Sequence, residues 1–135
     1  MVSRDNLANY RIRRAKDILI EAEDNFNQKH YGLSINRSYY AMFTAARAIL
    51  ALREMDSSKH SGVISLFNQH IVKVGLFPKE VSKFLPKAKD IREHADYGDF
   101  VEITEDDAQI QISRAAQFVE EAEKTTQGII RGNQT

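Results

Sequence analysis

Between Ile35 and Leu50 the chain carries two apolar stripes at helical spacing. Ile35, Tyr39, Met42, Ala46 and Ile49 recur at alternating intervals of four and three, and Tyr40, Phe43, Ala46 and Leu50 run beside them. The alternation is the seam of a packed helix, and two adjacent stripes make an apolar face too wide for a helix on a surface. This segment therefore belongs at the centre of a set of other helices. Two stripes are also more than four neighbours of modest apolar width can cover, so the same segment predicts a homodimer.

The rest of the chain supplies those neighbours. Leu7, Ala15, Ile18, Ala22 and Phe26 line one face of a helix from about Arg4 to Gln28, ended by a turn at His30-Tyr31-Gly32. Val63, Phe67, Ile71 and Val74 mark a third helix stopped at Gly75. Pro78 opens the next element, whose face is Val81, Phe84, Ala88, Ile91 and Ala95, with a break or kink expected near Pro86. Thr104 followed by Asp107 has the form of a capping box, and Ala108, Ile112, Ala115, Val119 and Ala122 form the face behind it. Beyond Gly128 the polar tail Arg131-Gly132-Asn133-Gln134-Thr135 is expected to fray. No segment alternates with period two over a useful length, so the fold class is all-α, one helical bundle with short connections.

Composition removes several kinds of chemistry. The 135 residues contain no cysteine, which excludes disulfides, thiolate metal sites and thiol catalysis. Nineteen basic and 19 acidic side chains cancel, so the whole surface is not built for nucleic acid or acidic lipid, although a local basic patch remains open. The N-terminus lacks the apolar core of a signal peptide and no apolar run approaches a membrane span, so the expectation is a cytoplasmic protein with no membrane partner. His30, His60 and His70 are scattered, with no helical histidine pair or carboxylate pair beside them, and no metal or other cofactor is expected.

Two clusters remain. At the start of the central helix Asn36 and Tyr40 share one face with Arg37 beside them, which places an amide, a guanidinium and a phenol on the rim of the core; the alternative is that the tyrosines are packing residues. Near the end of the fourth apolar segment, Arg92, His94, Asp96 and Tyr97 stand before Gly98. A guanidinium grips phosphate with a permanent charge, and a histidine moves a proton near neutral pH; the two suffice for metal-independent cleavage of RNA by its own 2′-hydroxyl. Arg92 also has Asp96 at the right spacing for an ordinary ion pair, and is expected to be exposed enough that its removal leaves melting unchanged. Tyr97, at a helix end, is expected to be accessible; alternatively it packs on Phe100.

The run from Asn36 to Leu50 resembles the central helix of HEPN-domain proteins (higher eukaryotes and prokaryotes nucleotide-binding). Lys59-His60-Ser61-Gly62-Val63-Ile64 with Phe67 resembles the next helix of the small stand-alone prokaryotic branch, and Arg92 leading to Ala95-Asp96-Tyr97-Gly98-Asp99 resembles its last signature. The resemblance covers roughly residues 5–125 and makes 1–135 a single HEPN-like domain with a core of about 5–127. It implies an up-and-down four-to-five helix bundle that commonly dimerises and is often encoded beside a minimal nucleotidyltransferase as a toxin and antitoxin pair. In the family's ribonucleases an arginine is followed after four to six residues by a histidine, forming a composite site across the dimer. This chain departs from that pattern: after four intervening residues Arg92 meets Tyr97, and His94 comes too early. Arg53 and His60 have the spacing but straddle a helix end and a loop. The resemblance thus offers Arg92, His94 and Tyr97 as catalytic candidates. Asn36, Arg37, Tyr40, Arg92 and Asp96 are the candidates for RNA or nucleotide binding, and Tyr97 for the acceptor of a transferred nucleotide. The alternative function is a non-catalytic helical module that binds a nucleotide or supports a nucleotidyltransferase.

Overall fold

The computed structural model describes residues 3–98 and 102–133, and among them every regular element is helical. Helix α1 (Arg4–Asn27) starts at Ser3, whose Oγ accepts the Asn6 amide at 3.1 Å. The chain then reverses through Lys29, which takes a left-handed φ of 65°. The reversal is therefore earlier than expected: helix α2 (Tyr31–Ala51) already includes Tyr31 and Gly32. Along the α1/α2 contact, Ser34 Oγ donates to the Ala22 carbonyl at 2.8 Å, Arg37 faces Glu21, and Arg11 reaches the Arg47 carbonyl. Numbers rising on one helix against falling numbers on the other make the pair antiparallel.

Both stripes of α2 are covered within one chain. Tyr39, Met42, Ala46, Ile49 and Leu50 are fully buried, Phe43 nearly so, and Tyr40 partly. Buried alanines make this possible: Ala8, Ala15 and Ala22 on α1, with Ala108, Ala115 and Ala122 on helix α6 (Glu105–Asn133), let the backbones approach α2 closely. A second copy is thus not required to cover α2, contrary to the width argument.

Helix α3 (His60–Phe67) runs into a widened turn over Asn68–Val72, in which the Lys73 amide donates to the Asn68 carbonyl five residues back. Val63, Phe67 and Ile71 keep their places in the core, but the extra residue in that turn rotates Val74 out to 62% exposure. Gly75, at φ 85°, ends the segment in a conformation that disfavours a side chain. Phe67, Phe77 and Phe118 then form an aromatic triangle with centroids 4.9–5.8 Å apart.

The break near Pro86 falls at Lys83, between α4 (Lys79–Ser82) and α5 (Phe84–Tyr97). Pro86 has no amide hydrogen for the Ser82 carbonyl and its ring crowds that oxygen, so one continuous helix is not available. Helix α5 ends where Gly98 turns extended (ψ 131°). Helix α6 opens on the capping box: the Thr104 amide donates to Asp107 Oδ2 at 3.0 Å and the Asp107 amide to Thr104 Oγ1 at 3.1 Å. It does not fray at Gly128 but continues to Asn133, because Thr126 and Ile129 are buried and Thr125 Oγ1 donates to the Leu76 carbonyl at 3.0 Å. Gln134 and Thr135 lie outside the described residues, as do Asp99 and Phe100. No helix among the described residues is long and apolar enough to cross a membrane.

Candidate functional site

The two sequence clusters meet across the α2/α5 contact. Arg92 of α5 lies over the rings of Tyr39 and Tyr40, its guanidinium carbon 5.2 and 5.5 Å from their centroids. A cation over an aromatic face is stabilised by the ring quadrupole, and more so when water is excluded. Here the side chain is only 13% exposed, so the expectation of a freely exposed arginine is corrected. The Asp96 pair foreseen from spacing forms at 3.4 Å, and Glu93 stands at 4.0 Å. Both contacts are long, Glu93 is already engaged by Lys89 at 2.7 Å, and Arg92 Nε is buried with no hydrogen-bond partner among the described residues.

The histidine that joins this group is His60, not His94. As the first residue of α3, His60 packs on Phe43 in a tilted arrangement with centroids 4.4 Å apart, and its Nδ1 lies 3.0 Å from the Tyr39 hydroxyl. Burial, then the charges of Arg92 and Lys89, hold its pKa below the ordinary 6.5, so it is neutral at physiological pH. Burial also raises the Tyr39 pKa, against the opposing field of Arg92, and the phenol keeps its proton. The Tyr39 hydroxyl and Nδ1 thus share one hydrogen bond, which joins a protonated phenol to a neutral imidazole.

The loop carrying His60 is held from a distance. Asp56 accepts from Arg47 Nε and Nη2 at 3.2 and 2.7 Å, faces Arg11 at 3.7 Å, and accepts the Ser57 amide at 2.8 Å. Its pKa is lowered, chiefly by the Arg47 hydrogen bonds. One turn into α3, a side chain at Gly62 would put its Cβ 2.8 Å from Ser57 Cβ, so glycine lets the loop lie flat on the helix.

Asn36 and Arg37 extend the group. Arg37 donates to Asn36 Oδ1 from Nε and Nη2 at 3.0 and 2.8 Å and lies 5.1 Å from the centroid of the Tyr40 ring. Tyr40 is thus flanked by two guanidinium groups. His94 is exposed and lines both the cleft between α5 and α6 and the crevice beside Arg92, away from the tyrosine pair. Tyr97, 78% exposed, lines a shallow crevice with Asp90, Arg92, Glu93, His94 and Gly98; the alternative of packing on Phe100 lies outside the described residues.

His60 and Asp56 are the residues that sequence reasoning missed. His60 stood in a quoted motif at the mouth of an apolar helix, but its partners lie on α2 and α5, which no spacing rule connects.

An all-helical bundle in which a mostly buried arginine lies over an aromatic pair, one ring of which is hydrogen-bonded to a neutral histidine, defines the class of protein and its candidate site. The chain belongs to the HEPN domain family, whose model matches residues 8–125. It is 33% identical over 131 residues to a "UPF0332 protein" of Thermotoga maritima, covering 97% of this chain and 99% of that one. It is 33% identical over 132 residues to a Methanocaldococcus jannaschii protein named "Putative toxin MJ0605", covering 92% and 98% of the two chains. A second protein of that organism, "Putative toxin MJ0142", is 28% identical over 123 residues, 90% of this chain and 84% of its own.

Proposed function

We propose that this chain is a toxin-like HEPN protein that acts on RNA, and that Arg92 holds an RNA phosphate. The observation that carries the reading is the state of the guanidinium: pinned over Tyr39 and Tyr40, with long ion pairs and a spare Nε, it is rigid yet weakly partnered. A phosphate offers two oxygens to such a fork and replaces contacts of 3.4 and 4.0 Å with short charge-assisted ones. His60 is the nearby group able to hand over or receive a proton, and Arg37 adds a second cation beside Tyr40. The toxin names of the relatives support the role, and the proposal includes a homodimer paired with a minimal nucleotidyltransferase whose acceptor is the exposed Tyr97.

One observation favours a second reading, a non-catalytic nucleotide-binding module. With Nδ1 tied to the Tyr39 hydroxyl, His60 has one ring nitrogen rather than two left for proton transfer, while Arg92 and Arg37 both offer donors to an anion.

Incubation of the wild type and Arg92→Ala with total RNA separates the two. Cleavage by the wild type alone, with growth inhibition on expression without a partner, supports the ribonuclease. Salt-dependent RNA binding without cleavage, lost in Arg92→Ala, supports the module. Wild-type protein that neither binds nor cuts RNA overturns both. Sedimentation that finds only monomer at micromolar concentration overturns the homodimer.

A further inference from the structure

On the side of α5 turned toward α6 lies a cleft of about 530 Å³, contiguous with the crevice beneath Arg92, since Asp90 and His94 belong to both. Ile35, Ile91, Ile103 and Ile110 give it apolar walls. Gln111 also lines it, 4% exposed, and its Oε1 accepts no hydrogen bond from the described residues. A buried amide oxygen in that state costs free energy until a donor reaches it. Of the other polar groups of the wall, Asp90, Glu102 and Asp107 carry acceptors, and the donors are the His94 ring and Arg114. Arg114, the cation of the cleft, is drawn over the Phe84 ring at 5.4 Å. Apolar walls with an acceptor-rich floor call for a flat, largely apolar group that brings its own N–H donors.

We propose that this cleft is a base subsite: it takes a nucleobase carrying an exocyclic amino group, which donates to Gln111 Oε1 while the ring lies between the isoleucines. The contiguity with Arg92 then runs one nucleotide from base to phosphate along α5. Adenine and cytosine have the amine where hypoxanthine and uracil have a carbonyl, which would set oxygen against oxygen at Gln111. For its link to a phosphate the proposal rests on the Arg92 reading; nucleosides, which lack phosphate, test it separately.

Full-length protein titrated with adenosine, cytidine, inosine and uridine, and followed by NMR at the Gln111 side-chain amide, gives the answer. Adenosine and cytidine are expected to shift those resonances and to bind about tenfold more tightly than inosine and uridine. Gln111→Leu should erase the preference. Ile110 is 48% exposed and can be changed without opening the core, so Ile110→Arg, which obstructs the cleft, should abolish the shifts even if the Gln111 variant fails to fold. Equal binding of all four nucleosides, or shifts remote from Gln111, overturn the proposal. Arg92→Ala should weaken AMP and CMP but not adenosine or cytidine. Phosphate-dependent binding with no base preference would remove the base subsite and leave the Arg92 reading standing; nucleoside discrimination with no gain from phosphate would do the reverse.

Discussion

The Tyr39 hydroxyl and Nδ1 of His60 lie 3.0 Å apart, joining the buried middle of α2 to the first residue of α3. This bond and the Phe43 contact, with ring centroids 4.4 Å apart, hold the His60 ring against α2. Neutrality of His60 is therefore part of the packing, and it makes stability depend on pH.

The His60 pKa is depressed when folded, so between the ordinary value of 6.5 and its lower folded value the unfolded chain binds more protons than the native one. Stability should fall as pH drops below about 6.5 and level off once the folded pKa is passed. Asp56 and Asp107, depressed carboxylates with ordinary values of 3.8, lose their contributions only in stronger acid. Thermal melts between pH 5 and 8 should show this slope in the wild type and lose most of it in His60→Gln; an unchanged slope in the variant would contradict the assignment.

Arg92→Ala removes a guanidinium from two aromatic faces in a nearly water-free setting, and should cost about 1–2 kcal/mol of stability besides abolishing phosphate binding. Arg92→Lys keeps the charge but not the planar fork, so it should regain part of the stability and little of the binding. Denaturant unfolding and RNA binding by fluorescence anisotropy on the three proteins check both halves. Full binding by the lysine variant would mean that charge alone suffices.

Tyr97 is 78% exposed at the end of α5, within reach of a partner enzyme. With a cognate nucleotidyltransferase and ATP, intact-mass spectrometry should show added nucleotide on the wild type and none on Tyr97→Phe. An accessible phenol contributes little to folding, so the two should melt together. A variant that still gains mass places the acceptor elsewhere.

The Asp56 clip predicts action at a distance. Asp56→Asn weakens the contacts to Arg47 and Arg11 and should cost about 1 kcal/mol, allowing for its half-exposed carboxylate. Gly62→Ala drives a methyl group into Ser57 and should cost about 1–3 kcal/mol. Both loosen the loop that delivers His60, so the His60 ring resonances should move although neither residue touches the ring. If they stay in place, the loop does not position the histidine.

Much of the fold was legible because helices are local. Apolar spacings place a face, the Thr104-Asp107 box places a start, and the helix breaks near Pro86, which denies Ser82 a donor. The sequence also placed Arg92, Asp96 and Tyr97 correctly on the end of one helix and brought Asn36, Arg37 and Tyr40 together on another. Where it misled, long-range packing had overridden local signals. Buried Thr126 and Ile129 carry α6 through a glycine expected to fray, small alanines let one chain cover a helix that looked too apolar for it, and the widened turn after α3 expels Val74. Only the tertiary structure decided which histidine joins the tyrosine pair under Arg92. Helical periodicity relates residues three and four apart, whereas Tyr39 is 21 positions from His60 and meets both it and Arg92 through the packing of α2, α3 and α5, a relationship set by the shapes of buried side chains.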